Sequence, residues 1–492
     1  MIEVSHIAEP ELEFGGGGRH LDIRFGLMDY GPFDTGHSEA PRRIRVGIVG
    51  SAETVEGAAR WIDRCRKGLP AKASRQPNLF PAFPGLAADG ALRCEFVTSA
   101  ELQRAFPPRE LLRLAAIDDA NRATRESLAA FLDEIRALAE QNVPPDVVLC
   151  ALPLDLIEAT VNAASDEEDE GKKEDEDETL NLRGMLKAAC MELRLPIQIL
   201  WPTTYNPAIR VPRKLHKVSE RRVQDDATRA WNFFTALYYK ANGLPWRMVR
   251  DPKQLKTSYI GISFYRTADG DLVHSSSAQM FDERGEGLIL RGARARESKE
   301  DRRPHLLAED AYKLLSDSLT VFRQQHGHFP ARVVLHKTSL FNTDERHGFN
   351  RALSERGIDY ADLIFVSKTL TRLYRIGAYP PLRGTSMRLD DRQLVLYTRG
   401  SVEFFRTYPG MYVPRPLLLR CHEMGQSLGF LAEEMLALSK MNWNNTQFDG
   451  GEPITVRASR YVGDILKYVP DGQAIAPRYS FYMWRKAGWP SY

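Results

Sequence analysis

The chain lacks several features, and each absence narrows what it is. No window approaches the roughly 18 consecutive apolar residues of a membrane-spanning helix, and mean hydropathy is −0.38. The opening MIEVSHIAEPELEF has acids where a secretory signal carries a basic and then an apolar stretch. Cysteine is scarce. The 5 residues are Cys65, Cys94, Cys150, Cys190 and Cys421, and no two have the spacing of a zinc knuckle or a redox pair. An odd, unclustered set suits a reducing compartment, so a cytoplasmic protein is expected. A phosphate loop is also missing. FGGGGRH (14–20) has neither the GK[ST] ending nor a preceding apolar strand, which leaves a flexible turn. GIVG (47–50) is not a dinucleotide fingerprint, because GxGxxG and the ribose-binding acid are absent. His326 and His328 form an HxH without a Cys or acid cluster beside it. Imidazoles at the negative end of a helix dipole explain that pair better than a metal does.

Net charge is nearly absent too: 67 Lys+Arg against 65 Asp+Glu leave +2. That balance argues against a nucleic-acid partner only until the charge is located. Residues 166–178 read DEEDEGKKEDEDE, and removing the −8 of this segment from the chain's +2 leaves +10 on the remainder. A basic body carrying an acidic surface loop is compatible with a polyanionic partner. The composition is otherwise globular, at 43% hydrophobic, 27% charged and 10% aromatic, which excludes fibrous and wholly disordered classes.

From Arg43 the pattern alternates between strand and helix. RIRVGIVG (43–50) is a strand, a helix follows from Ala52 to about Lys67, and further helices lie between Ser99 and Glu140. PPDVVLCALP (144–153) is an apolar run suited to a buried parallel strand. LNLRGMLKAACMEL (180–193) is helical, PIQILWPT (196–203) a strand, and DDATRAWNFFTALYYKANG (225–243) a helix with one apolar stripe. After Trp246 the texture changes. SYIGISFYRT (258–267) and LVHSSSAQMFD (272–282) pair through a turn at Asp269–Asp271. Strands at 331–339, 362–369 and 392–401 then alternate with helices at 309–326, 348–357, 428–440 and 454–468. The expected fold is α/β, with an irregular N-terminal extension (1–42), a Rossmann-like domain (43–250, carrying the acidic insert 166–178) and an RNase H-like domain (251–492).

One cluster points to chemistry. Arg183 and Lys187 are i,i+4 on one helix, near the end whose N–H groups and dipole favour anions. Gln198 is the lone amide of an apolar strand, and Lys240 ends an apolar helix. Taken singly these are solvated helix faces and a helix C-terminus. Their order is more telling. VVLCALP, then R-x3-K on a helix, then PIQIL, then a helix ending YYKANGLPW resembles the MID domain of Argonaute proteins. SYIGISFYR, ARVVLHKTS and LSKMNWNNTQFDGGEPITVRASRYVGDIL resemble PIWI segments, and EPELEF…DIRFGLMDYGPFD resembles the region ahead of MID.

The resemblance implies a Rossmann-like MID domain followed by an RNase H-like PIWI domain. It implies that Arg183, Lys187, Gln198 and Lys240 hold the 5′ phosphate of a guide strand, with Arg183 where the family usually has Tyr or His. It also implies a Mg²⁺ ion at that phosphate, shared with the C-terminal carboxylate of Tyr492. Slicing members carry Asp where this chain has Ser263 and in the region of Thr338, and a further ligand near Ala458. Neutral hydroxyls cannot offset two divalent ions, so cutting is not expected. The alternative is a guide-dependent RNase H-like nuclease that uses other acids. Arg213, Lys214, Lys217, Arg383, Lys440 and Arg457 are candidates for backbone contacts. With 492 residues there is room for MID and PIWI alone, as in short prokaryotic Argonautes. That likeness implies a guide RNA, a single-stranded DNA target and an obligate partner in which an APAZ region is joined to a sirtuin-like or TIR NADase. Such assemblies oligomerise on activation and deplete NAD⁺ in abortive defence against plasmids or phage.

Overall fold

The computed structural model describes residues 2–161, 180–211, 224–251, 253–267, 272–281, 287–374, 381–405, 413–470, 472–473 and 475–483. The acidic insert, the turn at Asp269–Asp271, Arg213, Lys214, Lys217 and Tyr492 lie outside the described residues. No helix among the described residues is long and apolar enough to cross a membrane.

The first domain is built on a parallel sheet. Its strands run in the order Glu95–Val97, Arg43–Gly50, Val147–Ala151, Ile197–Leu200, and Gln103–Ala105 also pairs with Arg43–Gly50. Val147–Ala151 is buried along its whole length, which is why it reads as an unbroken apolar run. The helix Ala52–Arg66 starts where Ser51 and Thr54 form a reciprocal capping box. The helix Asp226–Lys240, capped by Asp225, departs from its one-striped expectation, because every residue from Ala227 to Lys240 is buried. The reason is its position between the two domains. Phe234 meets Phe83 and Phe96 on one side, while Tyr239 stacks on Trp443 of the second domain at 4.7 Å on the other.

The second domain carries a nine-stranded sheet. Thr257–Arg266, Val273–Phe281 and Gly287–Arg294 form an antiparallel meander at one end. Arg332–Lys337 lies parallel to Thr257–Arg266, and Tyr360–Lys368 lies parallel to it in turn. This is the RNase H-like arrangement. Leu417–Glu423, Gln393–Leu396 and Thr385–Arg388 complete the sheet in antiparallel fashion. Helices Ala308–His326 and Thr343–Ser354 cover one face, packing on Ile260, Ile262, Val333 and Leu335. Helix Ile454–Leu466 covers the other and touches the sheet at Gly261, where a Cβ would lie 2.1 Å from the Thr455 carbonyl oxygen.

Residues 1–42 are more structured than the sequence indicates. Glu3–His6 is the outermost strand of the nine-stranded sheet, paired with Thr385–Arg388. Leu12–Glu13 pairs with both Arg19–His20 and Arg247–Met248, and a helix spans Ile23–Tyr30 behind its cap Asp22. Strands of two to four residues are too short to show a period-two pattern. The glycine run is the tight turn expected of it, with Gly16 and Gly17 at φ 62 and 80.

Candidate nucleic-acid interface

The helix Leu182–Cys190 begins at Asn181, whose side chain accepts from the Arg183 and Gly184 N–H groups. The expectation that these N–H groups face an anion is therefore corrected: they are already spent. The helix packs closely on the second domain. The Asn181 N–H donates to the Tyr468 hydroxyl at 3.2 Å, and at Gly184 a Cβ would lie 2.6 Å from the Tyr468 ring. One turn on, Lys187 is buried and its Nζ donates to the Met483 carbonyl. Lys240 is buried at the end of the seam helix and donates to the Ile197 carbonyl at 2.6 Å and to Gln198 Oε1 at 2.8 Å.

The structure thus brings Arg183, Lys187, Gln198 and Lys240 together, and the charges feel one another. Burial above all, then Lys240 and Arg183, pushes the Lys187 ammonium well below its usual range. Burial pushes Lys240 down to about 7, with the Cys150 thiol opposing and Arg183 adding to the shift. Among the described residues the two lysines bond only neutral oxygens. Such a pocket is under-neutralised and suited to an anion. Tyr492, whose carboxylate would share the expected Mg²⁺, lies outside the described residues. Gln198 Oε1 and the Met483 carbonyl already accept from lysines, and no described carboxylate enters the pocket.

Elsewhere in the second domain, the strand Thr257–Arg266 brings the backbone of Ser263 close to Thr338 and to the helix that carries Ala458. The parallel ladder sets Ile262 opposite Lys337, and the Thr338 N–H donates to the Ile262 carbonyl at 3.3 Å. Ser263 shares a sheet face with Gly261, which abuts Thr455, and Ala458 lies one turn further along that helix. His336 lies on the same face, with its Nδ1 2.8 Å from the Thr455 hydroxyl, and burial and then Arg332 push its pKa down to about 3, so it is neutral. On the opposite face Lys337 pairs with Glu345 at 2.7 Å, and Glu345 lies 3.3 Å from His305. No group of three or more His, Cys, Asp or Glu among the described residues is arranged to hold a metal.

No protein-family model matches the chain, and no curated protein does. Solved structures do. The Argonaute of Clostridium butyricum, bound to a guide DNA and a 19-mer target DNA, superposes with a TM-score of 0.64 at 14% identity, covering 96% of this chain and 54% of that one. Drosophila Piwi gives 0.59 at 12%, covering 97% and 56%. Aa-Ago with externally bound siRNA gives 0.57 at 13%, covering 97% and 55%. The fold is Argonaute-like. The parallel-sheet half has the MID architecture and the nine-stranded half that of PIWI. The chain spans about half the length of these neighbours.

Two of the expected backbone contacts are corrected by depth. Arg383 and Lys440 are buried inside PIWI and converge on Glu9 of the N-terminal segment, at 2.7 and 2.8 Å. Lys440 Nζ also donates to the Pro10 and Leu21 carbonyls at 2.6 and 2.7 Å, so no donor is left over for a phosphate. Arg383 donates to the Thr398 and Leu436 carbonyls and to Ser439 Oγ. These cations anchor the first residues of the chain to PIWI. Arg457 is half-buried on the helix that packs on Gly261, 5.6 Å from the Tyr461 ring. His326 and His328 flank Gly327, a left-handed C-cap, with ring centres 6.3 Å apart, as a helix terminus requires. Sequence reasoning missed Asn181, Tyr468, Met483 and Glu9. Only Asn181, a capping residue directly ahead of a helix, had a readable signal.

Proposed function

We propose that the chain is a guide-directed nucleic-acid recognition protein that binds without cutting. The observation that carries this reading is the neutralisation of its buried cations. Eight Lys and Arg side chains are buried among the described residues. Arg24, Arg229, Arg332, Lys337, Arg383 and Lys440 each have a carboxylate partner. Among the described residues Lys187 and Lys240, which lie at the seam between the two domains, face neutral oxygens, a thiol and Arg183. A terminal phosphate is the anion that an Argonaute-like fold would bring there.

In this reading a 5′-phosphorylated guide RNA docks through Arg183, Lys187, Gln198 and Lys240 and pairs with single-stranded DNA along PIWI. Cleavage is not part of this reading, because Ser263, Thr338 and Ala458 stand at the positions where the resemblance to slicing Argonautes puts metal-binding carboxylates. The alternative nuclease draws no support from the neighbouring acids, since Glu345 is committed to Lys337 and Asp301 to His305. The output belongs to an APAZ-bearing partner with a sirtuin-like or TIR NADase, held as an obligate heterodimer. The residue order that resembles MID and PIWI segments is what supports this assignment.

The test of the pocket is Lys187→Ala combined with Lys240→Ala, which should abolish retention of 5′-phosphorylated RNA on a filter. Undiminished retention refutes the pocket. Incubation of guide-loaded protein with matched DNA in Mg²⁺ or Mn²⁺ should leave the DNA intact, and guide-dependent cleavage refutes the non-cutting assignment. NAD⁺ loss should require guide, target and partner together.

A further inference from the structure

We propose that the seam captures a terminal phosphate together with protons, which Lys187 and Lys240, buried there against neutral oxygens, take up as the ligand binds. The proposal rests on the pocket being a 5′-phosphate site and adds how its charge is supplied.

The geometry argues for it from every side. The helix Leu182–Cys190 contributes Lys187 and Arg183, the strand Val147–Ala151 contributes Cys150, and Ile197–Leu200 contributes Gln198. The seam helix contributes Lys240, and among the described residues the segment ending at Met483 contributes its carbonyl to Lys187. Both ammonium groups are buried, their side chains belonging to residues 3% and 1% exposed. Cations packed against each other without a described counter-charge shift toward their neutral forms, as the lowered lysine values reflect. A phosphomonoester placed between them reverses the balance. Each neutral Nζ takes one proton from solvent, becomes –NH₃⁺ and donates to a phosphate oxygen, and no bond to phosphorus forms or breaks. The ligand's own second ionisation lies near pH 6, so well above that pH any proton taken up goes to the protein. A phosphodiester within a strand carries a single charge and drives the uptake less.

The experiment is titration calorimetry of the full chain with 5′-phosphorylated RNA and with the same RNA bearing a 5′-hydroxyl. It is run at about pH 8 with EDTA, in two buffers of different ionisation enthalpy. The expected result is a buffer-dependent enthalpy equivalent to roughly one to two protons for the phosphorylated strand and none for the hydroxyl strand. Affinity for the phosphorylated strand should fall by up to about tenfold per pH unit above the lysine titration. Lys240→Arg, whose guanidinium does not deprotonate, should bind with less buffer dependence. The wild-type comparison stands alone if that variant fails to fold. Phosphate-dependent binding with a buffer-independent enthalpy overturns the proton coupling and leaves the pocket intact. Equal affinity for the two RNA ends overturns the pocket itself.

Discussion

Glu9 provides the sharpest test of where the cations of PIWI belong. Its carboxylate is the one described anion shared by two buried cations, Arg383 and Lys440. Burial drives this carboxyl up, but Arg383 and Lys440 override it and hold it below 4.5. Glu9→Gln keeps the shape and leaves both cations uncompensated, which costs about 3–5 kcal/mol. Lys440→Met orphans the Pro10 and Leu21 carbonyls, at about 1–3 kcal/mol each, and reaches a similar total. Against a folding free energy of about 5–15 kcal/mol, either loss is large. Urea denaturation followed by tryptophan fluorescence suits the site, since Trp246 Nε1 donates to the Lys440 carbonyl at 3.3 Å. The sign with pH is fixed. A depressed carboxyl contributes fully above 4.5 and loses its contribution as pH falls below that value. The deficit of Glu9→Gln should therefore shrink in acid. Binding of 5′-phosphorylated RNA at low temperature should be unchanged within about twofold for both variants, because neither side chain reaches a phosphate. A Lys440→Met protein with the wild-type unfolding midpoint and weakened binding would refute the reasoning.

Three further outcomes are expected. The Lys240 ammonium is held at about 7 against 10.5 in the unfolded chain, so the free protein should gain up to about 5 kcal/mol as pH rises through that window. Lys240→Met should lack this rise in denaturation midpoints, and a flat wild-type profile contradicts the burial. Gly261→Ala puts a Cβ 2.1 Å from the Thr455 carbonyl oxygen and should cost about 3 kcal/mol or more by forcing the helix off the sheet; melting with wild type sinks the close approach. All five cysteines are buried, so a thiol reagent should label fewer than about one per native chain and all five in denaturant, and rapid native labelling contradicts the packing.

Much of the fold was legible because its central strands and helices are long. RIRVGIVG, VVLCA and the helix Asp226–Lys240 carry their pattern within eight to fifteen residues or are apolar throughout. Gly287–Arg294, Thr385–Arg388 and Leu417–Glu423 were missed because GLILRGAR, TSMR and LLLRCHE show no strict apolar–polar alternation, and Glu3–His6 because its partner lies some 380 residues away. The phosphate cluster was legible through the order of its residues. Arg383 and Lys440 were misread for a physical reason. A lone cation in a sequence carries no mark of depth, and the acid that neutralises both sits at position 9.

Depth alone does not distinguish the two kinds of buried cation, since Lys240 and Lys440 are equally enclosed. What separates them is the partner. An ammonium opposite a carboxylate has recovered part of its desolvation cost, and its removal destabilises the fold. An ammonium opposite carbonyls and an amide has recovered much less, and the fold carries that deficit without structural benefit. Folding by itself would favour an apolar side chain or an added acid at Lys187 and Lys240. Their retention without one is the energetic pattern of a binding site, where the missing charge arrives with the ligand and the lost stability returns as affinity. By the same logic, a net charge of only +2 is no obstacle to the proposed polyanionic ligand. Recognition of a strand end needs a few cations concentrated at one seam, as Lys187 and Lys240 are, rather than an excess spread over the surface.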